Sequence, residues 1–150
     1  MLLADLRKSV RDTAVHMVQL GLSRGTSGNL SALDPETSLV AITPSGVPYS
    51  GLTRQDIVVV NLEGDLIEGK YQPSSETPMH TAIYRTRKEV RAVVHTHSLY
   101  ATGFSVVGRE IPELTVPMAL YGSVPVVPFC LPGSCELADE VVASLGQDGN

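Results

Sequence analysis

Four consecutive β-branched residues, Ile57-Val58-Val59-Val60, constrain the fold of this chain more than any other segment. β-Branched side chains lose rotamer freedom in a helix and pack well on a pleated surface, so the run predicts a strand. A short strand without polar positions is typical of the buried interior of a sheet. The 150 residues of the chain suffice for one domain with one sizeable core.

Helical periodicity and short β-like runs alternate along the rest of the chain. We expect helices at 2–20, from about 75, at 98–107 and from Ser134, and strands at 29–33, 39–42, 66–67, 90–94 and 124–129. Ser75 is expected to cap the second helix, since Pro78 is tolerated in a first turn. The pattern predicts one mixed α/β domain over residues 1–150.

Charge and hydropathy exclude several classes of partner. The net charge is −5 and no Lys/Arg run occurs, which argues against nucleic acid and anionic membranes. No apolar run reaches the roughly 20 residues of a spanning helix, and Met1–Leu6 lacks the pattern of a signal peptide. Two cysteines, Cys130 and Cys135, favour free thiols in a reducing cytoplasm over a disulfide or a zinc pair. An anionic substrate stays possible, because backbone N–H groups bind phosphate locally.

The tripeptide His95-Thr96-His97 directly follows the strand predicted at 90–94. Residues two apart in a strand share a face and lie about 6–7 Å apart along the chain. Two imidazoles in that arrangement can converge on one metal, each nitrogen about 2.0–2.1 Å from it. Alternatively, the two rings only bond backbone or water at a strand end. Taken alone, the motif favours this second interpretation.

Glu76 lies at the predicted start of a helix, where the helix dipole favours a carboxylate. That position suits a simple capping role. It also suits a carboxylate placed beside the histidine pair in a catalytic zinc site with an open position. His80, one turn further on, is a possible ligand, although a supporting role suits it better.

Three loops are rich in small residues: Gly28-Asn29, Ser45-Gly46 and Ser74-Ser75. Glycine lets the backbone approach an anion, while hydroxyl, amide and backbone N–H groups donate hydrogen bonds. Each loop taken alone is an ordinary turn. Together, if they converge, they would form a phosphate cradle built from neutral donors.

These motifs, in this order, resemble the class II aldolase/adducin family. The similarity is carried by residues 25–31 (Gly-Thr-Ser-Gly-Asn-Leu-Ser), 43–46 (Thr-Pro-Ser-Gly), 74–76 (Ser-Ser-Glu) and 95–97 (His-Thr-His). The chain is most similar to members that cleave fuculose 1-phosphate. The resemblance implies a three-layer α/β/α sandwich around a mixed, largely antiparallel sheet. It also implies a homotetramer with active sites at subunit interfaces.

The resemblance assigns roles residue by residue. His95 and His97 match two of the family's three histidine zinc ligands, and Glu76 matches an acid/base carboxylate that can also touch the metal. The substrate-phosphate contacts correspond to Gly28, Asn29, Ser45, Gly46, Ser74 and Ser75. The implied reaction is zinc-dependent cleavage of a fuculose-1-phosphate-like ketose 1-phosphate. An enediolate intermediate leads to dihydroxyacetone phosphate and an aldehyde.

Two departures from the family pattern stand out. No histidine follows His97, so we expect the third ligand to lie beyond Asn150 and this chain to lack the C-terminal part of the family fold. No tyrosine follows Ile111-Pro112 where the family aldolases carry one that handles the aldehyde. The aldehyde partner therefore stays open.

Three alternatives remain within the resemblance. A pentulose-5-phosphate 4-epimerase would use the same chemistry without releasing fragments, but its relatives carry Asp at the position of Glu76. A thiosugar-phosphate dehydratase is a second enzyme alternative. A non-catalytic adducin-like module is the third, and its relatives lack the histidines found here at 95 and 97.

Overall fold

The computed structural model describes residues 1–145. Five strands and five helices follow one another along them, with one 3₁₀ turn at Tyr49–Gly51. The strands are β1 (Asn29–Asp34), β2 (Leu39–Ile42), β3 (Val58–Val60), β4 (Leu66–Glu68) and β5 (Ala92–His95). The helices are α1 (Ala4–Gln19), α2 (Thr77–Thr86), α3 (Leu99–Val106), α4 (Val116–Tyr121) and α5 (Cys135–Leu145).

The five strands form one sheet in the order β4-β3-β2-β1-β5. Every pairing among the described strands is antiparallel. Strands β1 to β4 follow in sequence order, whereas β5 joins the opposite edge of the sheet, beside β1. The chain reaches that edge through α2. This crossover brings the start of α2 and the end of β5 to the same end of β1.

Helices cover both faces of the sheet. On one face α1 packs its apolar stripe, including Val10 and Ala14, against side chains such as Leu30 and Ala41. On the other face Tyr84 of α2 lies in a second apolar cluster, which contains Val40, Ile42, Val58 and Val60. Helix α5 packs on α2 through Ala138. The expected three-layer α/β/α sandwich is confirmed, and its sheet is antiparallel in the described residues.

The strand predicted at 124–129 is wrong. Only Val124 forms a bridge, exchanging two backbone hydrogen bonds of 3.0 Å with Ile111. Pro125 and Pro128 have no N–H to donate, so a ladder cannot continue through them. The short helix α4 was not predicted from the sequence.

The cap predicted for α2 is also wrong. Glu76, not Ser75, occupies the N-cap position, and Ser75 is exposed. The hydroxyl of Ser74 instead accepts a hydrogen bond from the Glu76 N–H at 3.2 Å. Cys130 and Cys135 are free thiols, as expected. Among residues 1–145, no helix combines the length and apolar character needed to cross a membrane.

Candidate active site

Three loops are tied together at one end of the sheet by hydrogen bonds to Thr43. The Thr43 N–H donates to the Leu30 carbonyl at 3.0 Å, and the Leu30 N–H donates to Thr43 Oγ1 at 3.2 Å. The Thr43 carbonyl accepts from the Ser74 N–H at 3.1 Å. Because Thr43 bonds to both Leu30 and Ser74, three segments that are far apart in the chain meet at one place.

Two further contacts fix the shape of this region. The Ser45 N–H donates to the Gln72 carbonyl at 3.0 Å, which continues the pairing of the second and third loops. The buried phenol of Tyr49 donates to the Gly28 carbonyl at 2.7 Å, which holds the first loop in place. Backbone pairing together with two buried side-chain hydroxyls, those of Thr43 and Tyr49, therefore sets the positions of the loops.

The loops enclose a cavity of about 190 Å³, which we call the polar cavity. Its lining comprises Thr26, Ser27, Gly28, Asn29, Pro44, Ser45, Gly46, Ser74, Ser75, Glu76, His95 and His97. Every residue that the resemblance assigns as a ligand, base or phosphate contact lies on this wall, whereas His80, the other possible ligand, does not. No lysine or arginine belongs to the lining formed by the described residues, so its hydrogen-bond donors other than the imidazoles are neutral.

Gly28 is required by the packing behind the polar cavity. Its φ is +72°, and a Cβ built there would lie 2.4 Å from Ser23 Oγ and 2.7 Å from the His95 carbonyl oxygen. A side chain at this position would therefore need a strained backbone and a displaced strand. Ser23 is itself buried, and its hydroxyl accepts a hydrogen bond from the His97 N–H at 3.2 Å.

The two histidines lie beside each other at the end of β5. His95 pairs with Asn29 across the β1–β5 ladder, and His97 follows two residues later. Their ring centroids are 4.9 Å apart and the ring planes are inclined by 34°. Burial lowers the pKa of His95, and the neighbouring His97 adds to this effect. A neutral imidazole is the form that binds a metal ion.

Glu76 occupies the N-cap position of α2, yet its carboxylate forms no capping hydrogen bond. The residue is only 6% exposed, and its Oε2 is buried without a hydrogen-bond partner. A buried carboxylate oxygen without a partner costs free energy, because its hydration is lost and not replaced. The capping interpretation is therefore wrong, and the carboxylate is left available on the wall of the polar cavity.

A second unpartnered atom lies on the same wall. The Nδ1 atom of His95 is buried and has no hydrogen-bond partner. Unpartnered buried groups of this kind call for a ligand, an ion or a water molecule. Two imidazoles and one carboxylate oxygen are donor types that zinc accepts, so the residues fit that ion by type. In the part of the chain that the structure describes, however, no three His, Cys, Asp or Glu side chains are grouped closely enough to complete such a site.

His80 does not line the polar cavity. It is fully buried behind Asn29, and its two ring nitrogens lie 2.6 Å from Ser31 Oγ and 2.6 Å from Asn29 Oδ1. Ser31 in turn contacts the hydroxyl of Tyr84 at 2.7 Å. These bonds occupy the nitrogens that a metal would need. Sequence reasoning missed Ser31 and Tyr84, although the four-residue spacing of His80 and Tyr84 indicates one helix face.

A larger cavity of about 550 Å³ lies between α2, β5 and α5. Its wall is mainly apolar and includes Ile83, Val93 and Val141. His95 borders it as well, but the three small-residue loops do not. The polar cavity is therefore the better candidate for an active site.

The fold and the polar cavity define a member of a known family. Residues 8–150 match the family model of the class II aldolase and adducin N-terminal domain, and the chain belongs to that family. The membership expected from the sequence motifs is confirmed. The roles of individual site residues stay predictions.

Three similar proteins carry different names within the family. A 5-deoxy-D-ribulose 1-phosphate aldolase of Bacillus thuringiensis serovar kurstaki is 41% identical over 140 residues, which are 93% of this chain and 66% of that protein. An L-ribulose-5-phosphate 4-epimerase of Salmonella paratyphi B is 42% identical over 122 residues, which are 80% of this chain and 54% of the relative. The structure of an L-fuculose 1-phosphate aldolase matches with a TM-score of 0.90 at 34% identity, covering 95% of this chain and 68% of the other. The chain thus spans between about half and two thirds of the curated relatives' lengths.

Proposed function

We propose that this chain forms the phosphate-binding and proton-transferring part of a metal-dependent aldolase. The enzyme would cleave a ketose 1-phosphate to dihydroxyacetone phosphate and an aldehyde. One observation carries the proposal: the unpartnered Oε2 of Glu76 shares a cavity with two imidazoles and three loops of neutral donors. Two similar proteins, a 5-deoxy-D-ribulose 1-phosphate aldolase and an L-fuculose 1-phosphate aldolase, are both named for ketose 1-phosphates, which supports it.

The three loops would bind the phosphate of the substrate. Their donors are backbone N–H groups, the Asn29 carboxamide and the serine hydroxyls at 45, 74 and 75. An anion held by such groups needs no opposing lysine or arginine, because several N–H and O–H dipoles point at it together. The phosphate anchors the substrate with its reacting carbons toward Glu76.

Glu76 would transfer the proton at carbon. In the condensation direction its carboxylate removes a proton from the carbon beside the carbonyl of dihydroxyacetone phosphate, which leaves an enediolate. In the cleavage direction the same group returns the proton. Burial among the loops shields this carboxylate from bulk water, and a phosphate bound by the loops would lie in the same cavity.

His95 and His97 would hold a zinc ion in the cavity that Glu76 also lines. When bound, zinc supplies Lewis-acid stabilisation of negative charge on the substrate oxygens. The chain's own contribution is to present two imidazoles side by side at one strand end. A further ligand is not found among residues 1–145.

The main alternative is a pentulose-5-phosphate 4-epimerase, favoured by the 42% identity to one such relative. It would break and remake the same kind of carbon–carbon bond without releasing the fragments. Glu76 favours the aldolase, because the sequence resemblance associates Asp with this position in the epimerases.

Product analysis tests the proposal. The purified protein, supplied with zinc, would be incubated with 5-deoxyribulose 1-phosphate, fuculose 1-phosphate and ribulose 5-phosphate. Release of dihydroxyacetone phosphate from a ketose 1-phosphate supports the aldolase. Inversion at carbon 4 of ribulose 5-phosphate without triose release supports the epimerase. If none of the three sugar phosphates is consumed, both the aldolase and the epimerase are contradicted.

We further propose that the protein is cytoplasmic and assembles as a homotetramer. Many large apolar side chains between residues 99 and 131 are exposed, including Leu99, Val106, Leu114, Leu120 and Phe129. Large exposed apolar side chains, where they form a patch, are typical of an interface between proteins. Sedimentation analysis tests the homotetramer, since a monomer at micromolar concentration would contradict that assembly.

A further inference from the structure

A chain of four buried polar side chains runs behind the polar cavity and ends on its wall. Tyr84 OH lies 2.7 Å from Ser31 Oγ, and Ser31 Oγ lies 2.6 Å from His80 Nδ1. His80 Nε2 lies 2.6 Å from Asn29 Oδ1. We call this the Tyr84–Asn29 chain. Tyr84, Ser31 and His80 are each at most 1% exposed, whereas Asn29 lines the cavity.

The chemistry of these groups fixes which atom carries each proton. A carboxamide oxygen only accepts, so His80 Nε2 must carry a hydrogen and donate it to Asn29. Burial, with a contribution from nearby His95, lowers the pKa of His80 to about 3, so the ring is neutral. A neutral imidazole has a single N–H, and its Nδ1 therefore accepts from the Ser31 hydroxyl. The remaining contact is a donation from the phenol of Tyr84 to Ser31.

The direction of donation decides what Asn29 presents to the polar cavity. Its oxygen is turned toward His80, so the NH₂ group is the half of the carboxamide left for the cavity. No hydrogen bond from that NH₂ to another residue occurs among residues 1–145. The reverse direction, with the NH₂ donating to His80, would present an oxygen that repels an anion.

We propose that His80 is a positioning residue that holds the Asn29 carboxamide with its NH₂ group turned toward the substrate phosphate. The phosphate rests on the proposed function, whereas the orientation of the carboxamide follows from the hydrogen bonds alone. His80 touches neither substrate nor metal in this role. It determines whether the NH₂ group or the oxygen of the Asn29 carboxamide faces the polar cavity.

Two substitutions separate positioning from simple core filling. His80→Gln keeps an N–H at the reach of Nε2, so it can still donate to Asn29. His80→Asn is shorter and can satisfy only Ser31. Both variants remove the ring and create space in the core, so a merely structural role would affect them alike.

The affinity for inorganic phosphate is the first readout, followed through the side-chain NH₂ signals of Asn29 in ¹⁵N NMR spectra. We expect His80→Asn to weaken phosphate binding about tenfold or more, as for the loss of a hydrogen bond to a charged group. His80→Gln should stay within about threefold of the unsubstituted protein, which corresponds to less than one ordinary hydrogen bond. Equal affinities in both variants would overturn the proposal.

The tautomer of His80 is the second readout, and it requires no substitution at His80. Imidazole ¹⁵N spectra should show hydrogen on Nε2 and none on Nδ1. Hydrogen on Nδ1 would overturn the proposal, because the chain would then run in the reverse direction. Asn29→Asp keeps the accepting oxygen but has no NH₂, so it should retain the tautomer and lose phosphate affinity. Unchanged affinity in that variant would also overturn it.

These readouts separate the inference from the proposed function. A protein with the Nε2–H tautomer and phosphate binding, but without aldolase or epimerase turnover, would refute the function and keep the inference. An active aldolase with hydrogen on Nδ1 of His80 would support the proposed function and refute the positioning role of His80.

Discussion

Asn29 lies directly opposite His95 in the antiparallel ladder of β1 and β5. One residue carries the carboxamide proposed to bind the phosphate, and the other carries an imidazole proposed to bind the metal. Backbone pairing therefore fixes the separation between the two halves of the candidate site.

Replacing Glu76 by Gln should preserve the fold and strongly reduce turnover. Glutamine keeps the size of the side chain but cannot accept the proton, and a general base contributes about 10²–10⁴-fold. The measurement is kcat with a ketose 1-phosphate and added zinc. Glu63→Gln is a matched control, because Glu63 is exposed and does not line the polar cavity. Near-normal turnover in the Glu76 variant would remove its catalytic role.

Replacing Gly28 by Ala should destabilise the protein more than replacing Gly25 by Ala. Both glycines have positive φ, at +72° and +62°, so both variants pay the left-handed backbone cost of about 1–2 kcal/mol. Only at position 28 does the new Cβ meet other atoms, Ser23 Oγ and the His95 carbonyl oxygen. Overpacking of this kind costs a further 1–3 kcal/mol or so.

Urea unfolding of the two glycine variants measures this difference directly. Because the overlap pushes on β5, Gly28→Ala should also weaken phosphate binding, and Gly25→Ala should not. Equal midpoints for the two variants would show that the loop moves away from His95 without cost.

Replacing His95 or His97 by Gln should weaken zinc binding. Loss of a partner outside the ligand shell already costs about 10–100-fold in metal affinity, so loss of a ligand should cost at least as much. Calorimetric titration with zinc gives the affinities. His16→Gln serves as the control, since His16 is exposed on α1. If all three variants bind zinc equally, the histidine pair is not the metal site.

Replacing Tyr84 by Phe should lower the free energy of unfolding by about 1–3 kcal/mol, the usual cost of leaving a buried polar group without its partner. The phenol is 1% exposed, and burial raises its pKa to about 12, so it stays a hydrogen-bond donor. Tyr100→Phe is the matched control, because Tyr100 is 82% exposed. A Tyr84 variant as stable as its control would indicate that Ser31 finds another donor.

Much of the layered fold could be predicted because strong periodicity leaves few choices. The stripe of α1 and the β-branched run at 57–60 each specify an element and a buried surface. The region around 116–129 could not be predicted in the same way. Its prolines mark where a strand cannot pair, but they do not indicate which irregular path replaces it.

The candidate site was predictable in composition but not in its internal contacts. The two-residue spacing of His95 and His97 is consistent with their neighbouring rings. The convergence of the loops depends on hydrogen bonds to the backbone and the hydroxyl of Thr43, for which the sequence pattern gives no signal. The burial of His80 behind Asn29 depends on how α2 is rotated against the sheet, and helical periodicity does not determine that angle.

Strand β5 is paired on one side only in residues 1–145, because β1 is its single neighbour in the sheet. Edge strands of this kind open more readily than central ones in amide exchange. Here the hydrogen bonds that open would be those between β1 and β5, and the pair Asn29 and His95 in that ladder lies in the middle of the candidate site. Each opening event would then separate the phosphate contacts from the imidazoles at the same moment. Both binding activities should therefore fail together, as one cooperative unit, well before the central strands exchange.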